Sequence, residues 1–290
     1  MTTVTTNGEK HAATQNRLDR LHIDTDLVRH ILVRFLHNEV TKVGFNRAVL
    51  GLSGGIDSAV SCYLTAAALG PENVLALRLP YATSSPESLE HAQMVIDNLG
   101  VNSETVDITE MVEPFFAKTD DITPNRKGNV MARTRMFVIY DRSAAFDALP
   151  IGTSNKTELL LGYGTIYGDL ASAINPIGDL YKTQIRQIAR SLGVPQAIID
   201  KPPTADLIPG QTDEGDLGFT YKDVDPLLYL LIDERYSREE AVAAGFSPSF
   251  VDTVMKMVRT SHFKRMLPVI PKLSSRTVGH DFRYLRDWGT

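Results

Sequence analysis

The spacing of apolar residues changes period several times along the chain. Residues 26–40, DLVRHILVRFLHNEV, place Leu27, Ile31, Phe35 and Leu36 at helical spacing. From Arg47 the runs shorten. RAVLGLS is a brief apolar stretch that stops at glycines and predicts a strand, and IDSAVSCYLTAAALG predicts a helix ending at Gly70. NVLALRLP predicts a second strand, and SPESLEHAQMVIDNLG a helix with Ser and Pro at its start and Gly100 at its end. NSETVDI predicts a third strand, followed by a long helix over about 129–147. ALPIGTS predicts a fourth strand, with a helix running on through Glu158. DLYKTQIRQIARSLG is a further helix with a Gly stop, and helices are expected at 223–232, 238–244 and 248–260. Strands that alternate with helices predict an α/β, doubly wound parallel sheet of about five strands. Helices should cover both faces, with right-handed crossovers and a helical C-terminal part. Ligands of such sheets bind beyond the carboxyl ends of the strands, near the switch point.

Three segments lack periodicity. Residues 1–17 are polar and read as a flexible leader. Residues 201–222, KPPTADLIPGQTDEGDLGFTYK, are rich in Pro, Gly and Asp and read as a linker or a mobile lid. Residues 268–290 are polar, basic and aromatic, an extended tail. The remainder is expected to be one domain over 18–290.

Composition narrows the class. The chain has 290 residues, 43% hydrophobic and 22% charged, enough for a large core. Its one cysteine, Cys62, excludes an internal disulfide and a cysteine-based zinc site. A formal net charge of −5 argues against a nucleic-acid or anionic-membrane partner. No apolar run approaches the ~18 residues a membrane helix needs, and the N-terminus lacks the apolar stretch of a signal peptide. A cytoplasmic protein is expected. His30 and His37, seven apart on the first helix, fit surface or interface positions better than a metal pair.

The informative stretch is Gly51-Leu52-Ser53-Gly54-Gly55-Ile56-Asp57-Ser58, which leaves the first strand and opens a helix. Two glycines let backbone approach an anion, the helix N-terminus adds free N–H groups, and Ser53 and Ser58 add hydroxyls. The Lys of a Walker A loop is missing, and the glycine spacing is not that of a dinucleotide fingerprint. An Asp inside a phosphate loop is unfavourable unless a cation lies between, so Asp57 is a candidate Mg²⁺ ligand. A Gly/Ser helix cap without ligand would use the same residues, but the strand–loop–helix context favours phosphate binding.

SGGIDS resembles the pyrophosphate loop of the N-type ATP pyrophosphatases, which cleave ATP to AMP and pyrophosphate and adenylate a carbonyl or carboxyl oxygen. Further motifs choose among that group: NRKGNVMARTRM at 125–136, GTSNKTE at 152–158, Tyr167-Gly168-Asp169, DLYKTQ with Lys182, and PPTADL with Thr204. This ordered set, spanning about 26–265, resembles the NAD synthetases. The resemblance implies an adenine-nucleotide alpha-hydrolase-like fold and roles for particular residues. Residues 51–58 with Arg78, Thr153, Lys182 and Thr204 would bind ATP, and Glu158 would join Asp57 on magnesium. Asn129, Arg133, Asp169 and Lys264 would contact deamido-NAD. Tyr163 and Tyr167 fit ring stacking and core packing equally. The chain departs from the ammonia-dependent branch at Ile166, Ala173 and Phe263, where that branch commonly has Lys, Asp and His.

The resemblance thus implies an ammonia-dependent amidation of deamido-NAD to NAD, through an adenylate, by a cytoplasmic homodimer. The helices 26–40 and 129–147 carry more apolar surface than one sheet face requires. A glutaminase needs a second domain and a nucleophilic thiol, whereas Cys62 falls inside the helix after the loop and reads as a small buried hydrophobe. Ammonia is therefore expected free or from a separate glutaminase subunit. Two alternatives stay open: another ATP-pyrophosphatase ligase or RNA-thiolating enzyme, and a non-catalytic adenine-nucleotide-binding module.

Overall fold

Side-chain alternation along two short strands explains why helices lie on both sides of the sheet. In β1 (Ala48–Gly51), Ala48 and Leu50 enter one apolar cluster and Val49 enters another. In β2 (Val74–Arg78), Val74 and Ala76 join the first cluster and Leu77 the second. Neighbouring side chains on a strand point to opposite faces, so both faces must be covered. The computed structural model describes residues 18–204 and 212–281. With β3 (Asn102–Thr105) and β4 (Leu149–Pro150), these strands form a parallel sheet in the order β3-β2-β1-β4.

The sheet therefore has four strands among the described residues, not about five. The fifth position is reduced to one parallel bridge between Ile151 and Ile174. Pro176 follows two residues later and cannot donate to a ladder, which stops the pairing from extending.

Helices α1 (Thr25–Thr41), α2 (Ile56–Leu69) and α3 (Pro86–Leu99) supply Leu36, Leu64 and Val95 to the first cluster. On the other face, α4 (Thr109–Phe116) and α5 (Pro124–Phe146) supply Val112, Met131 and Val138. The short α6 (Lys156–Leu161) follows β4. Then α7 (Lys182–Leu192) and α8 (Gln196–Asp200) return to the first face with Ile185, Ile188 and Ile198. A third cluster holds the C-terminal helices α9 (Asp213–Leu217), α10 (Tyr221–Leu228), α11 (Arg238–Ala243) and α12 (Pro248–Thr260) around Tyr221, Leu227, Val251 and Val254. Tyr181 and Leu161 from the sheet half reach into that third cluster.

Several boundaries differ from the periodicity. Helix α5 begins at Pro124 rather than near 129, because Thr123 accepts the Arg126 N–H as N-cap and Pro124 suits the first turn. Helix α4 escaped the pattern because TEMVEPFF holds Pro114. Of the proposed lid 201–222, residues 205–211 lie outside the described residues, as do the leader 1–17 and tail residues 282–290. The end of the 201–222 segment is ordered into α9 and the start of α10, with Asp213 buried. In the tail, 266–281 forms no helix or strand, and Lys272 pairs with Asp281.

On α1 the apolar stripe is split. Leu36 and Val40 are buried, whereas Leu27 and Ile31 are 56% and 54% exposed. His30 and His37 are both exposed, and the His37 ring contacts the Ala68 carbonyl at 3.2 Å. Burial thus predicts contrasting costs. Ile188→Ala should lower unfolding free energy by about 2–5 kcal/mol in urea titration, whereas Met111→Ala, at an exposed position of α4, should change it by less than about 0.5 kcal/mol. Equal losses at the two positions would contradict this division of core and surface.

Candidate active site

The strand order reverses between β1 and β4, and the loops leaving these two strands face each other there. This is where a doubly wound sheet opens a crevice. In the β1 loop Gly54 has φ +77°, and a Cβ on it would lie 2.1 Å from the Ser88 carbonyl oxygen, so only glycine fits. Ser58 locks the loop: its hydroxyl donates to the Gly55 carbonyl at 3.0 Å and accepts the Ser53 N–H at 3.2 Å. Helix α2 starts with Gly55 as N-cap and has no side-chain cap, which leaves its first-turn N–H groups open to an anion.

The β4 loop ends in Asn155, fully buried and N-cap of α6. Its side chain accepts the Glu158 N–H at 3.0 Å, while Glu158 Oε2 accepts the Asn155 N–H at 3.3 Å, a capping box. The same Asn155 donates from Nδ2 to Asp57 Oδ1 at 2.9 Å. Lys182, the first residue of α7, closes the ring. Its Nζ lies 2.5 Å from Asp57 Oδ2 and 3.3 Å from Glu158 Oε1, with 5.1 Å to the Tyr221 ring centre. Three segments far apart in sequence thus meet at one ammonium.

Burial dominates the electrostatics. It pushes the Glu158 carboxyl up to about 8, and the neighbouring Asp57 and Asp213 carboxylates add to this while Lys182 opposes it. Burial works against the Lys182 ammonium, yet Asp57 and Glu158 hold its pKa above the ordinary lysine range. Asp213 is raised by burial as well; it accepts from the Tyr163 hydroxyl at 3.2 Å and the Tyr221 hydroxyl at 3.0 Å.

These groups line one cavity of about 520 Å³, within the range of small-molecule sites. Of the residues picked from sequence, Gly51, Leu52, Ser53, Gly55, Ile56, Asp57, Ser58, Thr153, Glu158, Lys182 and Thr204 line it, as do Asn129, Asp169 and Lys264. Gly54 supports the loop from behind, against Ser88. Arg78 and Arg133 are not on the wall. Arg78 donates to Gln93, and Arg133 Nε donates to the Ile166 carbonyl at 3.3 Å. The cavity face of α5 is formed instead by Asn129, Ala132, Arg135, Met136 and Ile139. Asp169 accepts the Thr165 N–H at 2.8 Å. Lys264 donates to the Gly162 and Gly164 carbonyls at 2.7 and 2.8 Å. Tyr163 is half-buried and bound to Asp213 and Asp216, while Tyr167 is 56% exposed with φ +55°. Sequence reading missed Arg135, Lys201, Asp213 and Asp216 on the wall. For Arg135, the three- and seven-residue spacings among Asn129, Ala132 and Met136 were the available signal.

Comparison with known proteins points the same way. The sequence model of the NAD synthase family matches residues 28–268. An NH(3)-dependent NAD(+) synthetase of Chlorobaculum parvum is 59% identical over 268 residues, covering 92% of this chain and 97% of that protein. Among solved structures, the NH3-dependent NAD synthetase of Campylobacter jejuni superposes with a TM-score of 0.74 at 35% identity, over 86% of this chain and all of that one. An NMN synthetase of Francisella tularensis gives a TM-score of 0.76 at 31% identity, over 87% of this chain and all of that one. With a family match over 28–268 and a relative 59% identical across most of both chains, this chain belongs to the NAD synthase family.

Proposed function

We propose that the chain amidates the nicotinate carboxylate of deamido-NAD with ammonia, using ATP and releasing AMP and pyrophosphate. The observation that carries this reading is the ring Asp57–Asn155–Glu158–Lys182, set beside an uncapped helix N-terminus in a chain of this family. The loop amides of 51–58 and the start of α2 hold ATP phosphates, with Thr153 and Thr204 on the same wall. Lys182 donates to phosphate oxygen as charge develops there. The carboxylate oxygen of deamido-NAD attacks the α-phosphorus and pyrophosphate leaves. Ammonia then attacks the acyl carbon, sheds a proton, and AMP departs with the oxygen that joined it. Asn129, Asp169 and Lys264 contact deamido-NAD from the α5 side of the cavity, and Arg78 and Arg133 enter only if their side chains turn from Gln93 and Ile166.

Magnesium fits Asp57 and Glu158. Both are hard oxygen donors, and here they share one cation, the Lys182 ammonium. Two carboxylates plus substrate phosphate is the usual manner of Mg²⁺ binding. When bound, the ion supplies charge neutralisation at the phosphates. A cytoplasmic location belongs to the same proposal; separately, no helix among the described residues is long and apolar enough to cross a membrane. Leu27, Ile31 and Phe35 on α1 and Phe137 and Tyr140 on α5 are exposed apolar side chains that a second copy of the chain would cover.

Asp57→Asn and Glu158→Gln should each reduce NAD formation by ~10²-fold or more while the fold is kept; near wild-type turnover at saturating Mg²⁺ would refute the assignment. Glu158 also sets a pH signature. Its folded pKa, about 8, lies above the ordinary value of 4.5, so its favourable contribution is fully present below about 4.5 and is lost as pH rises from there to about 8. In metal-free buffer the urea midpoint should fall across that interval in the wild type and fall less in Glu158→Gln.

The nitrogen source gives a further prediction. Cys62 is fully buried, and burial pushes its thiol up to about 12, the opposite of an activated nucleophile. The purified chain should turn over with ammonium and not with glutamine, its rate at fixed total ammonium should rise above neutral pH, and Cys62→Ala should keep that activity. NAD made from glutamine alone, and lost in Cys62→Ala, would overturn this; a separate glutaminase subunit is compatible with it. Light scattering should report a dimer, and a fully active monomer at micromolar concentration would contradict the shared apolar face.

A further inference from the structure

Helix α10 contributes one carboxylate that the reaction described above does not use. Asp225 is completely buried, in a helix that follows directly on the 201–222 segment. Its Oδ1 accepts from the Thr157 hydroxyl at 2.6 Å, and its Oδ2 accepts from the Thr183 N–H at 2.8 Å. The Thr157 hydroxyl in turn accepts the Lys182 N–H at 3.1 Å. Thr157 is the neighbour of Glu158 and sits in the first turn of α6; Thr183 is the neighbour of Lys182 and sits in the first turn of α7. One buried carboxylate therefore fastens the starts of the two helices that carry the Glu and Lys of the cluster. A carboxylate is suited to this place, since first-turn N–H groups lack partners within their own helix and the helix dipole favours negative charge there.

The geometry matters because α6 and α7 are joined by about twenty residues of irregular chain. Their separation at the cluster is not fixed by the sheet alone. A shift of either first turn by a fraction of the 3.3 Å Lys182–Glu158 contact would separate the ammonium from its carboxylate. We propose that Asp225, acting through Thr157 and the Thr183 amide, is the positioning residue that holds Glu158 and Lys182 in register against Asp57. It touches neither nucleotide nor nicotinate; it acts through the two residues that do.

This inference rests on the reading of the reaction given above, and the experiment separates the two. NAD formation and ATP dependence are measured for the wild type, Asp225→Asn, Thr157→Val, Thr157→Ser and a packing control, Val112→Ala, in the second cluster away from α6, α7 and α10. A wild type that makes no NAD from ATP, deamido-NAD and ammonium refutes the functional reading itself. With an active wild type, Asp225→Asn and Thr157→Val should each lower kcat ~10-fold or more while the KM for ATP moves less than about threefold. Thr157→Ser, which keeps the hydroxyl, should restore kcat. Val112→Ala should lose stability and keep kcat well below its melting temperature. Because Asp225 and Thr157 share one hydrogen bond, the double variant should lose less than the sum of the two single losses. Should Asp225→Asn fail to fold, the Val and Ser replacements at Thr157 interrogate the same bond from its other side. Retained kcat in Thr157→Val, a loss confined to KM, or fully additive losses in the double variant would each overturn the proposal.

Discussion

The site depends on a lysine ammonium taken almost wholly out of water. Lys182 is 3% exposed. A buried charge of this kind is tolerable only with partners in good geometry, because desolvation costs several kcal/mol per ion before pairing offsets it. Those partners come from three places: Asp57 from the first turn of α2, Glu158 from the first turn of α6, and the Tyr221 ring from α10. The chain must therefore bring two strand-ending loops and the C-terminal helical layer to one point. The switch in strand order between β1 and β4 does the first, and the third apolar cluster does the second.

That arrangement also explains why the unliganded cavity is electrostatically unsettled. One ammonium faces Asp57, Glu158 and Asp213, and burial pushes Glu158 up to about 8 and raises Asp213 as well. The strain is local to the site, as expected where function conflicts with stability. Gly54 shows the same conflict in the backbone, held at positive φ against Ser88 so that loop amides stay open.

The sequence was most legible where local chemistry and local structure coincide. SGGIDS occupies a strand end and a helix start, so period, glycines and Asp57 all pointed to one crevice. The alternation of strands and helices carried the fold class, while the fifth strand dwindled to a bridge at Ile174 because Pro176 interrupts it. What stayed hidden were the contacts that only tertiary placement decides. Arg133 carries the same charge as Arg135, yet only Arg135 lies on the cavity wall, because helix rotation sets which arginine faces inward; Arg78, at the end of β2, turns to Gln93. Asp213 and Asp225 sat in or next to a stretch that read as loop, and nothing in its composition announced that α9 and α10 bury both carboxylates. The surplus of apolar surface on helix 26–40 was legible, but which residues stay exposed was not: Leu27, Ile31 and Phe35 share their spacing with the buried Leu36.

The central claim is that the Asp57–Lys182–Glu158 cluster serves attack by a carboxylate on the α-phosphorus of ATP. Its most direct test is the fate of isotopically labelled oxygen placed in the nicotinate carboxylate of deamido-NAD. With ATP, Mg²⁺ and ammonium present, mass spectrometry should find one labelled oxygen in AMP and none in pyrophosphate, the mark of an acyl-adenylate resolved by ammonia. Label in a released phosphate with ADP as coproduct, or unlabelled AMP alongside NAD, would contradict the account.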